Sequence, residues 1–280
     1  MTLRTNYPQI LDSYNIRSRH PERQEYYERF KTLSQQTRSK FPNILDIRYG
    51  KNERQLLDVF LTDDKGPAAI FIHGGFWQAH DKSEFSFIAA PLVEAGVSTI
   101  MINYSRSPQQ SIPTLIEEVQ ASCLWLYNNA ETYSIDPDRI HVFGHSAGAH
   151  LAAAALFTNW NELGLPNNFL KSGCFVSGLF DLVPLCVSQV GKDLKLNKAI
   201  ASLASPIRMA SHCNTSILID VGADETKAFI DQSLNMASKV KELGIKTELQ
   251  ILQEMNHYDT VLALGNSQGS TVQRLLEVIL

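Results

Sequence analysis

The pentapeptide Gly144-His145-Ser146-Ala147-Gly148 constrains this chain more than any other feature. The apolar run Ile140-His141-Val142-Phe143 leads directly into it, and the alanine-rich AHLAAAALF (149–157) leads directly out. A strand that passes at once into a helix must reverse sharply at Ser146, which lifts the hydroxyl above the strand ends. Glycines on either side let strand and helix approach closely. The helix N-terminus adds free N–H groups and a positive dipole where negative charge could develop. G-x-S-x-G alone is a weak signal. Its place between a buried strand and a helix is what gives it weight, the alternative being an ordinary strand–turn–helix serine.

The surrounding pattern fits a sheet built to carry such a turn. Ala68–His73 and Ser98–Tyr104 are nearly continuous apolar runs, as in strands buried on both faces. Ile140–Phe143, Gly173–Ser177, Ile217–Val221 and Thr247–Leu252 read as further strands, while Ile44–Tyr49 and Leu56–Leu61 read as a hairpin around Gly50-Lys51-Asn52. Helical patterns cover Pro21–Lys40, Glu84–Ala95, Pro113–Glu131, Ala147–Phe157, Thr226–Leu243 and Thr271–Leu280. Repeating β-α units after a hairpin predict an α/β fold, a mostly parallel sheet of about eight strands flanked by helices. With 280 residues, 44% hydrophobic, and no linker-like tract, a single domain over 1–280 is expected. Residues 1–40 would form a helical extension. The segment 181–210, outside the β-α rhythm, would form short helices capping the strand ends. The aromatic stripe Tyr26, Tyr27, Phe30 and Leu33 reads as packing rather than ligand contact.

Net charge is −4, which does not suggest a nucleic-acid or anionic-membrane surface. Arg17, Arg19, Arg23, Arg29 and Lys31 interleave with Glu22, Glu25 and Glu28, as on a solvated helix face. The four cysteines (Cys123, Cys174, Cys186 and Cys213) have neither metal-ligand nor CxxC spacing and read as reduced thiols. No signal-peptide pattern opens the chain and no apolar window is long enough for a membrane helix, so a cytoplasmic protein is expected. The expected partner is a small-molecule substrate, without nucleic acid or membrane; a homodimer is compatible with the chain. There is no Walker A loop, GxGxxG after a strand, HExxH or Cys/His cluster, and no cofactor or metal is implied.

Two further motifs extend the chemistry. His73-Gly74-Gly75-Phe76-Trp77 follows the strand AAIFI, where glycine N–H groups can face a substrate carbonyl; a tight structural turn is the alternative. Phe76, Trp77 and Tyr104 are candidate pocket residues, with packing as the equal alternative. In this kind of sheet the order is nucleophile, acid, base. Of eight histidines, only His212 and His257 follow the serine turn and its helix, and His212 precedes a strand rather than following one. His257 is therefore the candidate base. The acid belongs after SILIDV, where Asp224 and Glu225 compete, with Asp181 one strand earlier as a distant third.

Together these motifs resemble arylformamidase (kynurenine formamidase) of the α/β-hydrolase type, with kinship to hormone-sensitive-lipase-like esterases. The likeness lies in HGGFWQAHDKSEFSFIA (73–89), NYSRSP (103–108), DPDRIHVFGHSAGAHLAA (136–153), SGLFDLVPL (177–185), ASLASP (201–206), FIDQS (229–233) and NHYD (256–259). It implies Ser146 as nucleophile, His257 as base and the N–H groups of Gly74, Gly75 and Ala147 as an oxyanion hole. Its spacing, three residues after the strand-ending Gly222 and a fixed distance before Phe229-x-x-Gln232-Ser233, places the acid at Glu225. The sequence departs from the family at Phe76, where tyrosine is usual, at Glu225, where aspartate is common, and at Gly191, where asparagine is expected. The implied activity is hydrolysis of an amide or ester of a small acyl group. A short-chain carboxylesterase is the near alternative. An acyltransferase or a non-catalytic binding module is the alternative of a different class.

Overall fold

The computed structural model describes residues 13–280; the start of the expected N-terminal extension lies outside the described residues. One sheet holds β1 (Asn43–Arg48), β2 (Leu56–Phe60), β3 (Gly66–Ile72), β4 (Ser98–Ile102), β5 (Ile135–His145), β6 (Leu170–Val176), β7 (Ser216–Gly222) and β8 (Lys246–Leu252). The order is β1-β2-β4-β3-β5-β6-β7-β8. β2 pairs antiparallel with both β1 and β4, and every other neighbouring pair is parallel. β3 and β4 are buried at every residue, which is why they read as nearly continuous apolar runs.

Helices Ile112–Asn129 and Ala147–Leu156 pack together, as do Ser270–Ile279 and Ala89–Glu94. Ser111 caps the first of these by accepting from Thr114 N–H at 3.3 Å, with Pro113 in the first turn. The helix expected over Glu84–Ala95 is instead a 3₁₀ segment, Lys82–Ile88, followed by a short α-helix, Ala89–Glu94. Pro91 explains the break, since its ring has no N–H and would clash with the carbonyl four residues back in a continuous α-helix.

The parallel arrangement places the carboxyl ends of β3, β5, β6, β7 and β8 side by side, with Ile72 opposite Gly144, His145 opposite Val176, and Gly222 opposite Leu252. In open α/β sheets ligands bind at this end. Every residue of the helix Ala147–Leu156 is buried. Small side chains permit that approach: a Cβ on Gly148 would sit 1.9 Å from the Ile72 carbonyl oxygen, and one on Gly144 would sit 2.5 Å from Gly148 C.

Candidate active site

Ser146 stands where β5 ends and the helix begins, with φ 57° and ψ −121°. A non-glycine residue there is strained, at a cost of about 1–3 kcal/mol. The surroundings hold it: Ser146 N–H donates to the Val176 carbonyl (2.9 Å) and the Ser146 carbonyl accepts from His150 N–H (3.1 Å). Gly74 abuts it, since a Cβ on Gly74 would lie 3.1 Å from Ser146 Cβ. Gly75 has φ 113°, and a Cβ there would fall 2.6 Å from the Ala79 carbonyl oxygen, so the loop after β3 requires glycine. Among the described residues, the N–H groups of Gly74, Gly75 and Ala147 donate to no protein acceptor.

His257, on the loop after β8, and Ser146 line one cleft. His257 Nδ1 lies 2.7 Å from Glu225 Oε2. The Glu225 side chain is wholly buried and that of His257 is 7% exposed. Glu225 reaches this position because the turn after β7 folds back on itself: Gly222 N–H donates to Glu225 Oε1 at 2.9 Å. Asp224, on the same turn, is exposed. Asp181 turns instead to Arg208 (3.4 Å). His212, exposed, faces the Leu243 carbonyl (2.9 Å) at the far end of the sheet. Glu225 is thus bonded to His257, and His257 shares a cleft with Ser146, whereas Asp224, Asp181 and His212 are placed in neither way.

Two residues that sequence reasoning missed complete the network. Ser177 Oγ donates to Glu225 Oε1 at 2.5 Å, and Thr260 Oγ1 donates to the His257 carbonyl at 2.9 Å. The two hydroxyls are 3.1 Å apart. Ser177 immediately follows β6, so the one available signal was a polar residue at the carboxyl end of the strand beside the acid. His145 Nε2 lies 3.1 Å from both the His257 carbonyl and Thr260 Oγ1. Burial, and then the neighbouring His257, hold His145 well below the usual imidazole range, keeping it neutral. Phe229 packs on the His257 ring, with centroids 4.7 Å apart.

The cleft is lined by Ser146, His257 and His145 with Tyr27, Phe30, Phe76, Phe85, Tyr258 and Val261. Phe76 lines this cleft. Trp77 and Tyr104, expected as pocket residues with packing as the equal alternative, are absent from its lining and fully buried. The Trp77 backbone takes φ 56°, and its indole N–H donates to His150 Nδ1 at 3.3 Å. The Tyr104 hydroxyl donates to the His73 carbonyl (2.8 Å), its ring stacked on His73. Tyr27 and Phe30 pack against the core as read from the sequence, Phe30 stacking on Phe87, and they also form part of the cleft wall.

The segment 181–210 contributes none of the cleft lining, which draws instead on Ile16, Arg17, Tyr27 and Phe30 for its N-terminal side. That segment lies beside the helix Ala147–Leu156, where the Ala204 carbonyl accepts from His150 Nε2 at 2.7 Å. Within it Gly191 is buried, and a Cβ would fall 2.0 Å from the Leu185 carbonyl oxygen, so the backbone here leaves no room for an asparagine. Gln232 of the FIDQS stretch is structural: its Oε1 accepts from Phe180 N–H and Asp181 N–H, each at 2.8 Å. Among the described residues no group of His, Cys, Asp and Glu could hold a metal ion.

Comparison with known proteins agrees with this architecture. The family model BD-FAE matches residues 57–174. A kynurenine formamidase from Danio rerio is 29% identical over 257 residues, covering 89% of this chain and 86% of that protein. One from Drosophila melanogaster is 27% identical, covering 83% and 81%. Among solved structures, a Silicibacter protein described as a thioesterase superposes with TM-score 0.83 at 25% identity, covering 97% and 98% of the two chains. Esterase B from Lactobacillus rhamnosis, at 16% identity and TM-score 0.71 over 91% of this chain, shares the fold. The chain is an α/β-hydrolase-fold hydrolase with kynurenine formamidases among its relatives.

Proposed function

We propose that the protein is a serine hydrolase that removes a small acyl group from an aryl amide or ester through Ser146, His257 and Glu225. The observation that carries the reading is the Glu225–His257 pair beside a strained serine in one cleft. Glu225 accepts from His257 Nδ1–H and so leaves Nε2 free to take the Ser146 proton. Ser146 Oγ then attacks the carbonyl carbon, and the N–H groups of Gly74, Gly75 and Ala147 hold the oxyanion. The protonated His257 gives its proton to the departing amine or alcohol as the carbon–heteroatom bond breaks. Water, deprotonated by His257, attacks the acyl-enzyme and releases the acid and Ser146.

Tyr27, Phe30, Phe76, Phe85 and Tyr258 offer aromatic faces to an aryl leaving group. The similarity to kynurenine formamidases over most of the chain favours an aryl formamide such as N-formylkynurenine. Comparing kcat/KM for N-formylkynurenine and p-nitrophenyl acetate tests the reading. Deformylation at least matching ester hydrolysis is expected, and brisk ester hydrolysis without deformylation would leave a short-chain carboxylesterase. Among the described residues no helix is long and apolar enough to cross a membrane, and all four cysteines are free. Both fit a cytoplasmic location, which belongs to the same proposal.

A further inference from the structure

The turn that carries the candidate base is tied to the N-terminal helix Arg23–Lys40 by a closed set of hydrogen bonds. Tyr26 Oη donates to Asp259 Oδ1 at 2.8 Å and accepts from Asn256 Nδ2 at 3.0 Å. Asn256 and Asp259 in turn hold the turn from inside. Asn256 Oδ1 accepts from Tyr258 N–H (2.7 Å) and Asp259 N–H (3.1 Å), and Asn256 N–H donates to Asp259 Oδ2 (3.0 Å). These bonds bracket His257 on both sides in the chain. The Tyr26 ring also stacks on Tyr258, with centroids 5.3 Å apart. Over two hundred residues separate the partners, so nothing local to the turn supplies this anchor.

We propose that Tyr26 is a positioning residue for His257: through Asn256 and Asp259 it fixes the turn so that the imidazole faces Ser146. The inference rests on the reading of His257 as base. Burial of the Tyr26 hydroxyl, the largest influence on it, raises its pKa above the usual phenol range, so it stays protonated and can donate to Asp259. Other residues of the same helix also reach the body of the protein. Ser34 Oγ donates to the Glu84 carbonyl at 2.8 Å, far along the chain from the base turn.

That contrast supplies the experiment. Tyr26→Phe removes both hydrogen bonds and keeps the stacked ring. Ser34→Ala likewise removes two helix-to-body bonds, the one to the Glu84 carbonyl and the one accepted from Phe87 N–H (3.3 Å), without touching the turn. Because small misplacements of a catalytic group cost up to about 100-fold, Tyr26→Phe is expected to lower kcat for p-nitrophenyl acetate about tenfold at unchanged KM. Ser34→Ala should lose comparable thermal stability and keep its kcat. The downfield proton resonance of His257 Nδ1–H, read by NMR without substrate, should broaden or exchange faster in Tyr26→Phe alone. An unchanged kcat and an unchanged resonance in Tyr26→Phe would overturn the proposal and leave the proposed function standing. Equal kcat losses in both variants would reduce Tyr26 to a structural role. If Ser146→Ala stays active, the functional reading fails whatever Tyr26 does.

Discussion

Replacing Glu225 by glutamine changes one charged oxygen for an NH₂ and little else in volume, yet the surroundings dictate which way the amide turns. In the native site Oε1 accepts from Gly222 N–H at 2.9 Å and from Ser177 Oγ at 2.5 Å, while Oε2 faces His257 Nδ1 at 2.7 Å. If the glutamine kept its oxygen toward His257, its NH₂ would point at Gly222 N–H. Ser177 could rotate its hydroxyl to accept, but a backbone N–H cannot, and leaving it buried and unpaired costs about 1–3 kcal/mol. The amide therefore turns its oxygen to Gly222 and its NH₂ to His257. Nδ1 must then accept, the ring takes the tautomer protonated at Nε2, and the nitrogen nearest Ser146 can no longer take a proton. The corresponding aspartate-to-asparagine change in a serine protease lowers kcat about 10⁴-fold, equivalent to about 5.4 kcal/mol of barrier, and the same order is expected here. Stopped-flow release of p-nitrophenol from the acetate ester reads kcat, circular dichroism checks the fold, and the ring ¹⁵N shifts of His257 report its tautomer. Asp224→Asn, on the exposed side of the same turn, should stay near wild type. A Glu225→Gln enzyme within tenfold of wild type, or a reversed ranking of the two variants, would refute the reasoning.

Two other outcomes follow from the packing. Gly148→Ala would thrust a methyl to 1.9 Å from the Ile72 carbonyl oxygen and 2.6 Å from that of His73. Backbone must move, so a loss of about 3 kcal/mol is expected in urea unfolding, with wild-type stability contradicting the packing described. Burial holds His73, His141 and His150 at about 4, below the ordinary imidazole value of 6.5. The folded state refuses protons that the unfolded chain takes up below about pH 6.5. Their contribution is complete above that pH and is lost as pH falls toward 4, at roughly 1.4 kcal/mol per pH unit for each ring. Urea midpoints should drop steeply between pH 6.5 and 4.5, whereas a flat profile over that range would contradict neutral burial of these rings.

Much of the candidate site was legible because backbone topology fixes where such residues can stand. A serine between a buried strand and an alanine-rich helix can only stand at the carboxyl end of the sheet, and the base and acid must hang from the loops of later strands. Glu225 was separable from Asp224 by spacing, through the family resemblance, but not by chemistry. Side-chain direction was not legible. Trp77 turns inward, where its indole N–H meets His150, and Tyr104 does so, where its hydroxyl meets the His73 carbonyl; neither is encoded in residue type. The same holds for Tyr27 and Phe30, where a helical stripe cannot say whether it faces a core or a cleft. Ser177 and Thr260 lie 83 positions apart and meet only once β6, β7 and the base turn are assembled.

The central claim is that Ser146 is a nucleophile activated by His257. Treating the folded protein with a fluorophosphonate and mapping the adduct by peptide mass spectrometry tests it most directly. One adduct is predicted, on the peptide containing Ser146, forming rapidly in the wild type and orders of magnitude more slowly in His257→Ala, because the two residues act as a unit. No adduct, an adduct on another residue, or an unchanged labelling rate in His257→Ala would contradict it.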